Sequence, residues 1–388
     1  MFSRLQSAQL ILGTILGSLI ACSPTKFAQS KKASELCDSS VTTCNVETQS
    51  IDIVQKFQIG SGKVDILFVN DNSASMSKTQ LALAAKFSGF IQSLDARKID
   101  YRIAITTTDL GAVRARPLIA FGNGSYYITN SDANRVNLFN NAILRNETIN
   151  CEDLIVSMFN TYGTAFQSSD TYVRLYPTTC PSSDTRGIYT ANVVVSQNAS
   201  AFMRADANLN VILISNDNVR QGKTMENNDR AAAFVSMMQS QYPNKYWDFN
   251  SIIVKDETCR QSQTLRNAQG VEVRNAYGPA ISGGIGLEYA NLSNSAARDI
   301  DNNPRPRGQI LNLCESNYAS HFSSMSTQIS DESRMITLKC APSAQPTVNK
   351  ADGSGTVNFI WNGDKIVFPR GNEGVQVSIA YKCYTGPT

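Results

Sequence analysis

The apolar run Val64-Asp65-Ile66-Leu67-Phe68-Val69 stops abruptly at a polar turn, Asn70-Asp71-Asn72-Ser73-Ala74-Ser75. A run that scarcely alternates is the pattern of a strand covered on both faces, as in a parallel sheet. Residues 78–94 follow with apolar positions at helical spacing, so a helix leaves the turn. The same unit recurs along the chain. Residues 101–109, rich in β-branched side chains, read as the next buried strand, and Val211-Ile212-Leu213-Ile214 as a third, ending in Ser215-Asn216-Asp217-Asn218. Further strands are expected at 247–254 and 309–313, with helices at 152–160, 231–241, 287–292 and 318–329. Strands alternating with helices in this order predict an α/β fold: a doubly wound, mainly parallel sheet with helices on both faces.

From Met335 onward the pattern changes to short alternating runs, at 336–338, 357–360, 365–368 and 375–381, with Gly, Asn and Pro between them and no helix. Residues 334–388 therefore read as a small antiparallel β unit. The larger domain is expected over 51–333, opening with an edge strand at 51–59 before Gly60-Ser61-Gly62. Two insertions interrupt it, at about 112–150 and 168–195. The first holds a predicted hairpin at 117–130, whose Phe121, Tyr126 and Tyr127 either cover the loop's own small core or face a partner.

The amino terminus joins Arg4, an apolar stretch at 10–20 and Cys22, the regions of a secretory signal too short to span a membrane. Leu19-Ile20-Ala21-Cys22 resembles the bacterial lipobox. That resemblance implies cleavage after residue 21 and lipidation of Cys22, and Ser23 after the cysteine implies the outer membrane; residues 22–50, polar and with little apolar periodicity, read as a tether. An ordinary cleaved signal is the alternative. Eight cysteines remain besides Cys22, an even number that suits disulfides in an exported chain. Pairing neighbours in sequence joins Cys37 to Cys44, Cys151 to Cys180, Cys259 to Cys314 and Cys340 to Cys383, although eight cysteines allow about 105 connectivities. With one histidine, His321, and no Cys-x-x-Cys, zinc is disfavoured.

Charge is nearly balanced, 35 Lys and Arg against 32 Asp and Glu. Nothing in it points to nucleic acid or to an acidic membrane surface. Candidate chemistry concentrates in the turn after the first strand. Asp71, Ser73 and Ser75 place oxygen-bearing side chains at alternate positions, as a hard divalent cation requires. The alternative is a plain strand-to-helix turn, with Ser77 as N-cap and Gln80 completing a capping box.

Asp71-x-Ser73-x-Ser75 after an apolar strand resembles the metal-ion-dependent adhesion site of von Willebrand factor type A domains. The resemblance implies Mg2+, with Mn2+ or Ca2+ as substitutes, and a protein partner whose Asp or Glu completes the coordination. It also implies a threonine from a glycine-containing loop, which Gly163-Thr164 matches, a helix cap being the other role for Thr164. The family's aspartate after the later strand has no direct counterpart: Asn216 stands in its place and Asp217 is displaced by one, so Asp217 is expected to reach the metal through water. The function expected is lipid-anchored binding or adhesion at the cell envelope. A structural envelope lipoprotein with a degenerate site is the alternative. A metal-dependent hydrolase is disfavoured because no Ser/His/Asp set or His pair accompanies the site.

Overall fold

A computed structural model describes residues 36–37, 41–46, 50–109, 118–182, 185–197, 199–219, 226–315 and 318–384. The proposed signal, Cys22 and most of the tether lie outside them. Among the described residues no helix is long and apolar enough to cross a membrane.

The elements run β1 (Val41–Val46), β2 (Ser50–Gln58), β3 (Lys63–Asn70), α1 (Ser77–Ala96), β4 (Asp100–Thr107), β5 (Ile128–Thr129), α2 (Arg135–Ile143), α3 (Asn146–Tyr162), α4 (Asp170–Thr179) and α5 (Gly187–Gln197). There follow β6 (Asn208–Ser215), α6 (Ala231–Gln241), β7 (Trp247–Ile253), α7 (Glu257–Ser262), α8 (Leu287–Asn294), β8 (Ala296–Arg298), β9 (Pro304–Pro306), β10 (Ile310–Asn312) and α9 (Tyr318–Glu332). The chain closes with β11 (Met335–Thr337), β12 (Thr347–Lys350), β13 (Ile360–Asn362), β14 (Lys365–Val367) and β15 (Gln376–Tyr384).

The main sheet has the order β10-β7-β6-β3-β4-β5, parallel except for β5, and is the doubly wound α/β architecture expected. Alternation along β3 explains its unbroken apolar run. Ile66 and Phe68 face one core with α1, α2 and α9, while Leu67 and Val69 face a second with α5, α6 and α8. Phe68 meets Phe87 and Phe139 edge-on at centroid distances of 5.1 and 5.0 Å. From β3 the chain steps to β4 on one side and later to β6 on the other, so strand order reverses between β3 and β6. Ligands of open α/β sheets bind at the carboxyl end of such a switch point.

Several expectations are corrected. Residues 51–59 do not edge the main sheet: β2 pairs antiparallel with β15 in a four-stranded sheet, β1-β2-β15-β12, so the β unit is built from both ends of the chain. Val41–Val46, read as tether, is the neighbouring strand. Non-local pairing of this kind leaves no trace in local periodicity. The hairpin at 117–130 is reduced to β5, which pairs with β4, beside a tight turn closed by Gly124 N–H to Phe121 O at 2.8 Å. Phe121 is buried there, Tyr126 is exposed, and Arg102 stacks over Tyr127 at 4.5 Å. Residues 187–195, assigned to the second insertion, belong to α5, whose Ile188, Ala191, Val194 and Val195 are core.

Disulfides join Cys151 to Cys180, Cys259 to Cys314 and Cys340 to Cys383, as neighbour pairing predicts. Cys37 is also disulfide-bonded, and the side chain of Cys44 lies outside the described residues. The β unit docks where α9 ends: Gly62 N–H reaches Ser333 O at 3.0 Å, and the fully buried Arg334 donates to Phe368 O and, at 2.9 Å, to Asp301.

Candidate metal centre

The register sets the level of the site. Asn70 of β3 lies opposite Ile214 of β6 and Thr107 of β4, so the next residues of all three strands converge. Asp71 is completely buried. Its Oδ2 accepts from Ser215 Oγ at 2.6 Å, and its Oδ1 accepts from Ser73 N–H at 2.9 Å and, at the limit of 3.5 Å, from Thr108 Oγ1. Ser73 Oγ stands 3.3 Å from Ser75 Oγ, which stands 3.3 Å from Asn216 Oδ1. A ring of oxygens thus links the two sides of the switch point.

Burial pushes the Asp71 carboxyl above its ordinary range, and the hydrogen bonds from Ser215 and Ser73 only partly oppose that. These partners are neutral hydroxyls and an amide, so they solvate the carboxylate without neutralising it. A divalent cation would supply the missing charge. Oxygens held about 2.1 Å from Mg2+ in an octahedron lie about 3.0 Å apart along each edge. The 3.3 Å separations of Ser73, Ser75 and Asn216 are close to that spacing, and Asn216 Nδ2 is buried with no partner among the described residues while its Oδ1 faces the ring. The donor set fits a hard cation: Asp71, Ser73, Ser75 and Asn216 would hold it. It is a poor set in charge, since among the described residues no three His, Cys, Asp or Glu side chains group as metal ligands.

No family model matches this chain, and no curated protein matches it. Solved structures that resemble it include a von Willebrand factor type A protein from Catenulispora acidiphila, at 9% identity over 88% of this chain and 62% of that one, with a TM-score of 0.34. The pilus adhesin SpaC from Lactobacillus rhamnosus GG matches at 10% identity over 87% of this chain and 42% of its own, with a TM-score of 0.33. The ArnB paralog VWA2 from Sulfolobus acidocaldarius matches at 11% over 88% and 63%, with a TM-score of 0.30. The chain thus spans less than two thirds of these proteins. The doubly wound fold is defined by the strand order and register of the chain itself.

The two remaining sequence candidates are Thr164 and Asp217. Thr164 is exposed on the 3-10 turn Gly163–Ser168, and among the described residues its hydroxyl joins none of the hydrogen bonds of the oxygen ring. Asp217 turns its Oδ1 onto Asn218 N–H at 2.9 Å, so Asn216 is the residue that faces Ser75. The capping box does not form: α1 continues from the 3-10 turn Ala74–Met76, and Ser77 lies within it. Gln80 braces the site instead, donating to Asp71 O at 2.8 Å and accepting from Arg145 N–H at 3.2 Å. Ser215, Thr108 and Gln80 were missed as site residues. Ser215 carries a readable signal, a hydroxyl at the end of the strand beside β3. His321 is half-buried and pairs with Glu315 at 2.6 Å.

The opposite edge of the sheet has a cleft of about 400 Å3 beside the β unit, lined by Arg204, Lys245 and Lys365 among others. All three cations are already engaged. Arg204 binds Asp65 and Asp100, Lys245 donates to the carbonyls of Arg204, Ala205 and Ala207, and Lys365 donates to Asn244 O.

Proposed function

We propose that this chain is a cation-dependent binding protein of the type A kind, anchored through Cys22 at the cell envelope.

 The reading rests on one observation: a fully buried carboxylate, Asp71, at the strand-order reversal, surrounded by the neutral oxygens of Ser73, Ser75, Ser215 and Asn216. Bound there, Mg2+ would be offset by the one carboxylate of this donor set, Asp71, so a net charge of about +1 would remain and attract an acidic group from outside. The partner class is therefore a protein that presents Asp or Glu, and Mn2+ or Ca2+ would substitute for Mg2+. The chain's own residues do the positioning. Ser215 and the Ser73 amide orient the Asp71 carboxylate, and Gln80 fixes the backbone of the turn that carries it.

The second reading, a structural envelope lipoprotein with a degenerate site, is favoured by Asn216, which stands where a second carboxylate would strengthen cation binding. Thermal unfolding separates the two. Under the binding reading, millimolar Mg2+ or Mn2+ raises the melting temperature, chelator reverses the rise, and Asp71→Ala abolishes it. A melting temperature unmoved by either cation would favour the structural reading.

A further inference from the structure

Between β7 and α8 the chain leaves the sheet and crosses its carboxyl edge, and this strap has an eight-residue period. Leu265-Arg-Asn-Ala-Gln-Gly-Val-Glu272 is followed by Val273-Arg-Asn-Ala-Tyr-Gly-Pro-Ala280 and then by Ile281-Ser-Gly-Gly-Ile-Gly-Leu-Glu288. The backbone repeats with the sequence. Leu265, Val273 and Ile281, at equivalent positions, bond to one another in a closed ring: Leu265 N–H to Ile281 O at 2.8 Å, Ile281 N–H to Val273 O at 2.8 Å, and Val273 N–H to Leu265 O at 2.9 Å. The first two repeats close into matching turns, Asn267 N–H to Val271 O at 3.0 Å and Asn275 N–H to Pro279 O at 3.1 Å, with Arg266 and Arg274 sharing Glu272 between them.

The third repeat departs from the other two where it meets the oxygen ring. Glycines 283 and 284 replace the Asn-Ala pair, and the turn is open. Gly284 N–H donates to Asn216 O at 2.8 Å and Glu288 N–H donates to Asn218 Oδ1 at 3.2 Å. The approach is so close that a Cβ on Gly283 would lie 1.9 Å from Asn216 O. The strap also touches the other half of the site: Leu265 and Val273 share a buried cluster with Ala74, the residue between Ser73 and Ser75, and Gln263 accepts from Thr79 of α1 at 3.1 Å. Its base is held by the Cys259–Cys314 disulfide.

We infer that the repeat strap is the positioning element of the candidate metal centre, holding the Asn216 turn and the Ser73–Ser75 turn in one arrangement, with Gly283 and Gly284 as the positioning residues. The inference rests on the cation-binding reading for its functional consequence, and on hydrogen bonds and packing for its structural one. A Cβ at position 283 must displace the backbone of Asn216, whereas one at position 284 lies 2.9 Å from Asp217 Oδ1, a side-chain atom that can move. Tyr277, 92% exposed in the second repeat, offers a variant on the same strap that leaves these contacts intact.

The test uses the full chain in wild-type, Gly283→Ala, Gly284→Ala and Tyr277→Ala forms, with Mn2+ as probe and backbone hydrogen exchange as a readout that needs no metal. Losing the geometry of one donor should weaken Mn2+ binding about tenfold or more in Gly283→Ala, less in Gly284→Ala, and not in Tyr277→Ala. Metal-free exchange should quicken at the Ser73 and Asn218 amides in Gly283→Ala while the amides of β3 and β6 stay protected, which separates local release from failure to fold. If wild type binds no Mn2+ yet Gly283→Ala quickens those amides, the strap inference stands and the cation reading falls. Wild-type exchange at both turns in folded Gly283→Ala and Gly284→Ala, with Mn2+ affinity unchanged, overturns the inference.

Discussion

Replacing Gln80 with alanine removes the brace between the Asp71 turn and the start of α3. Gln80 is 1% exposed, and its side chain makes three contacts: Nε2 to Asp71 O at 2.8 Å, Nε2 to Thr148 Oγ1 at 3.4 Å, and Oε1 from Arg145 N–H at 3.2 Å. The first and third matter most, because truncation leaves a carbonyl and an amide without these partners. An unsatisfied buried group costs about 1–3 kcal/mol. Arg145 is less buried than Asp71, so water can recover part of its loss, and a total of about 2–4 kcal/mol follows for Gln80→Ala. That is a substantial share of a typical stability of about 5–15 kcal/mol. Gln80→Glu keeps an acceptor for Arg145 but loses the donor to Asp71 O, and it buries a second charge near the first, so it should be no milder. Urea unfolding of wild type and both variants measures these differences from the shift in midpoint. A loss below about 0.5 kcal/mol in Gln80→Ala would refute the brace, since that is the range of an ordinary surface change.

Three further outcomes follow from other parts of the molecule. Burial, and then the neighbouring Asp248, push the Glu332 carboxyl well above its ordinary range. The folded state therefore keeps a proton that the unfolded state releases first, and stability present at low pH is lost as pH rises, by up to about 1.4 kcal/mol per unit until folded Glu332 ionises. Glu332→Gln should flatten that decline in urea unfolding from pH 5 to 8; parallel curves would contradict it. Arg334→Leu removes the buried guanidinium that binds Phe368 O and Asp301, and should cost about 3–5 kcal/mol and speed proteolysis within the β unit. The Cys340→Ser/Cys383→Ser pair releases a loop with a sequence separation of 43, so unfolding of the β unit should become easier by about 4 kcal/mol on loop entropy; an unchanged midpoint would show that the bridge contributes nothing.

The sheet was legible because burial on two faces leaves an unbroken apolar run, as at Ile66 to Val69, and because α1, α6, α8 and α9 carry regular apolar spacing. Residues 51–59 were read correctly as a strand and placed in the wrong sheet, since pairing with residues some 320 positions away is decided by tertiary packing. Asp71, Ser73, Ser75 and Asn216 were legible from the motif and from the strand that ends beside it. Thr164 rests on a two-residue pattern, Gly163-Thr164, which is too short to fix where a side chain lies. Gln80 was legible as a polar residue near a helix start, but a capping role and a bracing role look identical until the turn's carbonyls are placed. The eight-residue period of the strap escapes a search for helix or strand periodicity because it is a period of turns.

The most direct test of the cation site is calorimetric titration of Mg2+ and Mn2+ into the chain beginning after Cys22, beside Asp71→Ala and Asn216→Asp. Asn216→Asp adds a second carboxylate and removes an amide nitrogen that has no partner among the described residues, so it should tighten binding. The account predicts one specific site in wild type, lost in Asp71→Ala and tighter in Asn216→Asp. Wild-type binding that survives Asp71→Ala, or no binding even in folded Asn216→Asp, would contradict it.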